Sequence, residues 1–233
     1  PATLDELDAF PAGLDGIYGR DFKRVFGDGA SPAWRTARTL LEALVAAREP
    51  PHADVLRAAL GWTDDAAAAR ELATVSLLFP VRDDGRVHPL HKSVFDWLTD
   101  AARAGEFAID AAPGHAALHR ACAAGRERAA LAVDAAPPVG TPAGAGEAYT
   151  AAVGDALEAP LAAYALAHGV DHALEAPGVE ADALVGAACD LRYVEAKAAA
   201  GRAFELATEL HRVGKRVAAK TRAASIRGAP SAA

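Results

Sequence analysis

His88 and His91 are the first residues in this sequence whose types and spacing could perform chemistry. They lie three positions apart, just after an Asp-Gly turn signal, and imidazole nitrogens are frequent zinc ligands. No third ligand lies nearby, and Pro89 stiffens the peptide between the two rings. We therefore expect no metal at this pair. The alternatives for His91 are a structural role, such as capping the following helix, and contact with a ligand.

A second set of histidines lies further along the chain. His115, His119 and Cys122 recur at i, i+4 and i+7, which places them on one face of a helix. That spacing could hold zinc, but the packing of an alanine-rich helix also explains it, and we favour packing. His168 and His172 share an i, i+4 spacing, and the glycine between them predicts a helix end, so we expect a structural role.

The residues that hydrolyse nucleotides are absent from the sequence. It has no Gly-x-x-x-x-Gly-Lys-Ser/Thr loop to hold phosphates, and no apolar strand ends in paired acids for magnesium. The Gly214-Lys215 pair lacks the preceding glycine and the strand that such a loop requires. Because the sequence also offers no nucleophile–base or carboxylate pair, we do not expect this chain to be an enzyme.

Composition narrows the class of protein. Of the 233 residues, 52% are hydrophobic, many of them alanine, and 6% are aromatic, which favours closely packed helices over extended sheets. The net charge of −7 disfavours nucleic acid and anionic lipid as partners. Two isolated cysteines, with no signal peptide and no apolar run of membrane-spanning length, predict a cytoplasmic location without membrane contact. Since the chain contains no methionine, we interpret it as a piece of a longer polypeptide.

Apolar residues at helical spacing predict a series of helices at the start of the chain. A linker segment, 1–29, contains one amphipathic helix. Ser31-Pro32 is a typical helix start, because serine caps and proline suits the first turn. Further helices are predicted over 34–48 and 53–60, and another after a cap at Thr63 or Asp64.

A β-hairpin is predicted after these helices. The apolar runs 75–81 and 87–90 have the length of strands, and the Asp-Gly between them is a strong hairpin signal. Three helices followed by a hairpin form the winged-helix arrangement, which we assign to 30–105. Another amphipathic helix is predicted over 93–98.

The second half predicts an α-helical, superhelical domain over 106–213, so that the fold class is mainly α. A helix over 111–124 precedes a Pro/Gly/Ala-rich flexible loop at 134–146. Residues 214–233 are predicted to be a disordered basic tail. Four helical segments between loop and tail are broken near Pro160, Gly169, Pro177-Gly178 and Gly201.

Four segments carry a family resemblance. They are PAGLDGIY at 11–18, VHPLHKSVFDWL at 87–98, YALAHGVDH at 164–172 and CDLRYVEAK at 189–197. In this order they resemble the winged-helix and following helical region of NACHT-type signal-transduction ATPases with numerous domains, the STAND family. The resemblance covers most of the chain and leaves out the phosphate-binding core.

The resemblance implies a role for one histidine. In such proteins the nucleotide-binding core and the winged helix close over ADP, and a histidine at the start of the post-wing helix donates a hydrogen bond to the β-phosphate. Here that histidine is His91, preceded by Leu90. The usual motif is Met/Leu-His-Asp, whereas this chain has Lys92 in the third place. That departure puts the supporting hydrogen bonds of the acidic residue in question.

The implied function is regulatory. The chain would stabilise the closed, ADP-bound state and relay the state of a C-terminal sensor. Its expected partners are the nucleotide-binding core and C-terminal repeats of its own parent chain, and further copies of the protein when activated. ADP or ATP with Mg²⁺ would bind the parent protein, which would be the NTPase, and we expect no cofactor in this fragment alone.

Two other functions compete with this interpretation. The first is a winged-helix DNA-binding regulator, but in the helix that would read DNA, Asp64, Asp65 and Glu71 outweigh Arg70 and would repel phosphates. The second is a helical scaffold for protein–protein interaction. We interpret the basic end as a solvated tail and not as a nucleic-acid arm; its cations are Lys215, Arg216, Lys220, Arg222 and Arg227.

The large side chains around the histidine motif are expected to be structural. Because the sequence has few of them, each must anchor much packing. We predict a modest surface pairing of Lys92 with an acid on the same helix, Asp96 or Asp100. The aromatic residues predicted to form the core are Trp34, Trp62, Phe95 and Trp97.

Overall fold

The computed structural model describes residues 13–135 and 153–228, with side chains described up to 222. These residues are mainly helical, as the composition predicted. The chain divides into two compact units, Pro1–Gly114 and His115–Ala233, so the division falls later than the predicted boundary between 105 and 106. Residues 1–12 of the predicted linker and 136–146 of the predicted loop lie outside the described residues. None of the described helices combines the length and apolarity needed to cross a membrane.

The first unit is built from six described helices and a short 3₁₀ turn, Gly105–Phe107. Five of these helices were predicted, and they are confirmed with small shifts at their ends: α1 (Gly13–Phe26), α2 (Pro32–Ala46), α3 (Ala53–Leu60), α4 (Asp65–Val75) and α5 (Ser93–Thr99). The sixth, α6 (Ala101–Ala104), was not predicted.

Helix starts in this unit follow from local side-chain chemistry. The Ser31 hydroxyl accepts a hydrogen bond from the Trp34 N–H (3.0 Å), with Pro32 as the first helical residue of α2. Asp64, one of the two predicted caps, accepts from the Ala67 N–H (2.7 Å) and starts α4. These polar contacts satisfy amide groups that have no partner within the helix.

The predicted strands of the hairpin are wrong. Helix α4 continues to Val75, and 76–78 form a turn in which the Phe79 N–H donates to the Val75 carbonyl (2.9 Å). Val75 and Phe79 are both buried, because their four-residue spacing suits one helical face of this apolar run. In place of strands, the described residues contain two isolated antiparallel bridges, His52 with Arg86 and Val81 with Val87.

The reversal at the Asp-Gly signal is confirmed. The Arg82 N–H donates to the Arg86 carbonyl (2.9 Å), and Gly85 adopts a φ of +72°. The backbone of α3 joins this turn, since the Ala53 N–H donates to the Gly85 carbonyl (2.9 Å). The turn therefore lies against the start of α3.

Aromatic rings form the core of the first unit. Phe22 lies 5.0 Å from Trp97 and 5.6 Å from Phe107 between ring centroids, and Trp34 lies 5.1 Å from Phe107. Trp34 and Trp97 are each 1% exposed, as predicted, and Trp62 and Phe95 pack partly buried against the same core. Burial of each such side chain contributes about 1.5–3 kcal/mol, which compensates for the many small alanine residues.

The second unit consists of packed helices whose core lies between them. Helix α7 (Ala111–Ala135) is longer than the predicted helix over 111–124. Residues 153–158 are helical. The following elements are α8 (Pro160–Glu175), α9 (Ala181–Cys189), α10 (Leu191–Ala199), a 3₁₀ turn (Ala203–Glu205) and α11 (Leu206–Gly228).

The helix break predicted near Gly169 is wrong, since α8 passes through this residue. A Cβ atom at Gly169 would lie 3.1 Å from Arg126 Nη1 and 3.4 Å from the Cβ of Cys122. A residue without a Cβ is therefore favoured here because two helices approach closely, and not because a helix ends.

The predicted disordered tail begins too early. Helix α11 is continuous to Gly228, and only 229–233 lie outside the described residues. Val213 is buried, while Leu206 and Val217 pack against the core of this unit. Their spacing gives α11 an apolar stripe, which the run of cations around it obscured in the sequence.

We predict that Gly125→Ala destabilises the second unit. A Cβ at this position of α7 would lie 2.6 Å from the Leu161 carbonyl oxygen of α8, and backbone cannot move aside cheaply. The expected loss is about 1–3 kcal/mol, typical of overpacking. Urea unfolding followed by circular dichroism measures it.

Gly186→Ala is the matched control. It also replaces a helical glycine, in α9, but no atom lies within 4 Å of the new methyl group. It should stabilise the unit by about 0.5–1 kcal/mol. Equal effects of the two substitutions would contradict this account of the α7–α8 contact.

Candidate functional site

His91 lies at the turn that leads into α5. The Leu90 N–H donates to the Leu78 carbonyl (2.7 Å), and the Val94 N–H donates to the His91 carbonyl (3.1 Å). The backbone on both sides of the histidine is therefore fixed, while its side chain is exposed. Val94 and Trp97 of α5 are each 1% exposed, so their burial in the core fixes the position of this helix.

One edge of the His91 ring is held by the neighbouring serine. His91 Nδ1 lies 2.7 Å from Ser93 Oγ, and the Ser93 backbone N–H donates to the same nitrogen (3.2 Å). Ser93 Oγ also lies 2.8 Å from the hydroxyl of Tyr18, on α1. Among the described residues, His91 Nε2 has no hydrogen-bond partner. The imidazole therefore presents this second nitrogen at the surface.

The predicted pairing of Lys92 is wrong. In the described part of the chain, no ion pair joins Lys92 to Asp96 or Asp100. Asp100 instead accepts a hydrogen bond from the Ala102 N–H (2.9 Å) and starts α6. The Lys92 side chain remains exposed beside His91, which adds a positive charge to this surface.

His88 contacts the turn over 82–86. Its Nε2 lies 3.6 Å from Asp84 Oδ2. Asp84 also accepts a hydrogen bond from the Arg86 N–H (3.0 Å), and this bond is the main cause that lowers the pKa of the Asp84 carboxyl. His88 therefore contributes to the turn, as a structural residue would.

The second group of histidines lies between α7 and α8. His115 Nδ1 is 2.9 Å from His172 Nδ1, and His172 Nε2 is 2.9 Å from the Tyr164 hydroxyl. His172 is fully buried and His115 is 9% exposed. These contacts satisfy polar groups inside a helix–helix interface, in agreement with the structural role expected for His172.

The zinc alternative for His115, His119 and Cys122 gains no support from this geometry. The described residues contain no group of three or more histidine, cysteine or acidic side chains that could hold a metal ion. Burial, followed by the charges of Arg126 and Arg120, lowers the pKa of His119. Burial raises the pKa of the Cys122 thiol to about 12, which keeps it protonated, whereas zinc binds the thiolate.

A buried charge network joins α10 to α11. Lys197 is fully buried, and its Nζ donates to Glu209 and lies 3.0 Å from Glu205 Oε2. The Tyr193 hydroxyl donates to the other oxygen of Glu209 (2.9 Å). Burial, and then the charge of Glu209, raises the pKa of Tyr193. Burial alone would raise the pKa of Glu205, but the hydrogen bond and charge of Lys197 lower it.

The sequence carries a signal for this network, which the predictions above did not include. Tyr193 and Lys197 are four residues apart, as are Glu205 and Glu209, so each pair shares a helical face. Lysine and glutamate at such spacing are usual on exposed surfaces. Only the packing of α10 against α11 reveals that the faces meet in the interior.

Comparisons with models of protein families, with curated proteins and with solved structures found no match for this chain.

We predict that Lys197→Met destabilises the second unit by about 3–5 kcal/mol, because it leaves the Glu209 carboxylate buried without its cation. The double variant Lys197→Met/Glu209→Gln should recover most of that loss. Its amide oxygen can still accept from Tyr193, and no charge remains buried. Chemical denaturation of wild type, both single variants and the double variant measures the coupling. Additive effects of the two substitutions would contradict a direct interaction.

Thiol labelling should distinguish the two cysteines. Cys122 is buried, with the pKa of its thiol raised to about 12, whereas Cys189 is exposed. A thiol reagent at pH 8 should therefore label Cys189 alone in the native protein and both residues in denaturant. Rapid native labelling of Cys122, read by peptide mass spectrometry, would show that the α7–α8 interface opens readily.

Proposed function

We propose that this chain is the regulatory part of a NACHT-type, nucleotide-switched signalling protein, in which His91 senses bound ADP. The observation that carries the proposal is the exposed imidazole that follows the turn over 82–86, with Nδ1 engaged by Ser93 and Nε2 directed away from that contact. Because Ser93 already restrains rotation of the ring, a hydrogen bond from His91 to an anion on a facing domain would cost little further conformational entropy.

The path of the chain around His91 supports a winged-helix assignment for 30–105. Helices α2, α3 and α4 precede a tight reversal, and α5 follows it. The bridges of Arg86 with His52 and of Val87 with Val81 bring three short backbone segments together. We propose that these bridges form a reduced version of the small sheet in a winged helix.

The strength of the proposed contact suits a regulatory role. A charge-assisted hydrogen bond from imidazole to phosphate contributes about 1.5–3 kcal/mol. This amount shifts a two-state equilibrium by roughly ten- to a hundredfold but is far too small to bind a nucleotide alone. The phosphate loop and the Mg²⁺ ligands would belong to the nucleotide-binding core of the parent chain. The exposed Lys92 ammonium beside His91 would add attraction for the phosphate where the usual motif has an acid.

The remaining proposals concern partners. We propose that the helical second unit relays the state of C-terminal repeats to the nucleotide-binding core, and that further copies of the protein assemble on activation. The alternative of a protein-interaction scaffold draws support from Phe204 and Leu191, whose exposed fractions are 77% and 76%. The DNA-binding alternative has less support. The exposed charges of α4 and its cap are Asp64, Asp65 and Arg70, so acidic charges that repel phosphates are in excess.

We expect His91→Ala to accelerate ADP release from a polypeptide that joins this chain to its nucleotide-binding core. Loss of one charge-assisted hydrogen bond should increase the dissociation rate by roughly ten- to a hundredfold. The rate is measured by displacement of a fluorescent ADP analogue, and signalling in the resting state should rise in parallel.

His88→Ala provides the matched control for this experiment. It removes a histidine three residues away that lies against Asp84 of the turn over 82–86 and has no proposed contact with nucleotide. Its ADP release rate should equal that of the wild type. Unchanged ADP retention in His91→Ala would contradict the proposed function.

A further inference from the structure

Tyr18 and His91 come from different elements and meet at Ser93. Tyr18 lies on α1 and is 5% exposed, while Ser93 is the first residue of α5. The Tyr18 hydroxyl is 2.8 Å from Ser93 Oγ, which is 2.7 Å from His91 Nδ1. A continuous path of hydrogen bonds therefore connects a buried residue of α1 to an exposed imidazole.

The direction of each proton in this path follows from one backbone group. The Ser93 N–H donates to His91 Nδ1, so this nitrogen is an acceptor and carries no proton. The short contact from Ser93 Oγ to the same nitrogen must then be an O–H that donates. Since a serine hydroxyl has a single proton, the Tyr18 O–H is the donor to Ser93 Oγ. The imidazole proton of neutral His91 consequently resides on Nε2.

We propose that Ser93 and Tyr18 are positioning residues which hold His91 as its Nε2–H tautomer, so that α1 controls whether the exposed edge of the ring donates or accepts. This inference rests on the proposed function and adds a means of regulation to the same site. The Nε2–H tautomer can donate to phosphate, whereas the Nδ1–H tautomer presents a lone pair that repels it.

The attachment of α1 gives this control a structural basis. The Tyr18 ring lies 5.8 Å from Trp97 of α5, and Phe22, one turn further along α1, lies 5.0 Å from the same indole. Asp15 near the start of α1 pairs with Arg103 of α6. If α1 shifts, Ser93 Oγ loses the hydrogen bond that the Tyr18 hydroxyl donates. The Ser93 O–H is then free to rotate away from Nδ1, which weakens the preference for the Nε2–H tautomer.

Long-range proton–nitrogen NMR of the ¹⁵N-labelled full chain at pH 8, where ordinary imidazole is neutral, tests the proposal directly. The wild-type spectrum should show His91 with its proton on Nε2. Ser93→Ala should reduce the excess of this tautomer roughly five- to tenfold, because a hydrogen bond to Nδ1 is lost. Tyr18→Phe should reduce it roughly two- to threefold while keeping the aromatic ring in the core.

Two variants serve as controls. Thr99→Val removes a hydroxyl from the same helix, one that donates to the Phe95 carbonyl and not to the path, and should leave the His91 tautomer unchanged. Ser93→Thr keeps the hydroxyl and should restore the wild-type tautomer. A purely structural role of Ser93 would alter stability without altering the tautomer.

The outcomes separate this inference from the proposed function. A His91 tautomer that is unchanged in Ser93→Ala overturns the positioning roles, whatever His91→Ala does to ADP release. If Ser93→Ala changes the tautomer, but His91→Ala leaves ADP release unchanged, the positioning roles hold and the proposed function fails. Should the wild-type proton lie on Nδ1, the proton path itself is wrong.

Discussion

The contact between Phe22 of α1 and Trp97 of α5 holds these two helices together in the core of the first unit. The two ring centroids are 5.0 Å apart, and both side chains are almost completely buried. An alanine-rich chain has few large side chains, so removal of one ring opens a cavity that neighbouring methyl groups cannot fill. The position of α1 against α5, and with it the surroundings of His91, is therefore set by aromatic packing.

Once the aromatic core has fixed the position of α1 against α5, polar contacts orient the side chains between these helices. Tyr18 lies one helical turn before Phe22, so the same packing that buries the ring brings its hydroxyl to Ser93. A hydrogen bond of this kind contributes only about 1 kcal/mol to stability. Its importance is geometric, because it orients a side chain at the surface without adding bulk there.

Features governed by neighbouring residues were predictable from the sequence, and features governed by distant contacts were not. Ser31 and Asp64 cap helices through backbone groups three residues away, so their sequence context was sufficient. The run 75–81 was ambiguous, because a short apolar run suits a strand and a buried helix end alike. The helix break predicted at Gly169 is wrong for a similar reason: the role of this glycine depends on Arg126 and Cys122, which belong to another helix. The exposed His91 could be selected from the sequence, but its link to Tyr18, 73 positions earlier, could not.

The buried lysine of α10 has a consequence for how the second unit chooses its native arrangement. Two helices that contact each other through alanine side chains can shift along one another with little change in the apolar area that they bury. Lys197 does not tolerate such sliding, since displacing α11 by a single turn would separate the Lys197 ammonium from Glu209. An uncompensated charge in the interior is costly enough to exclude those shifted packings. The ion pair thus selects one register among many that hydrophobic burial alone would leave nearly equal in energy.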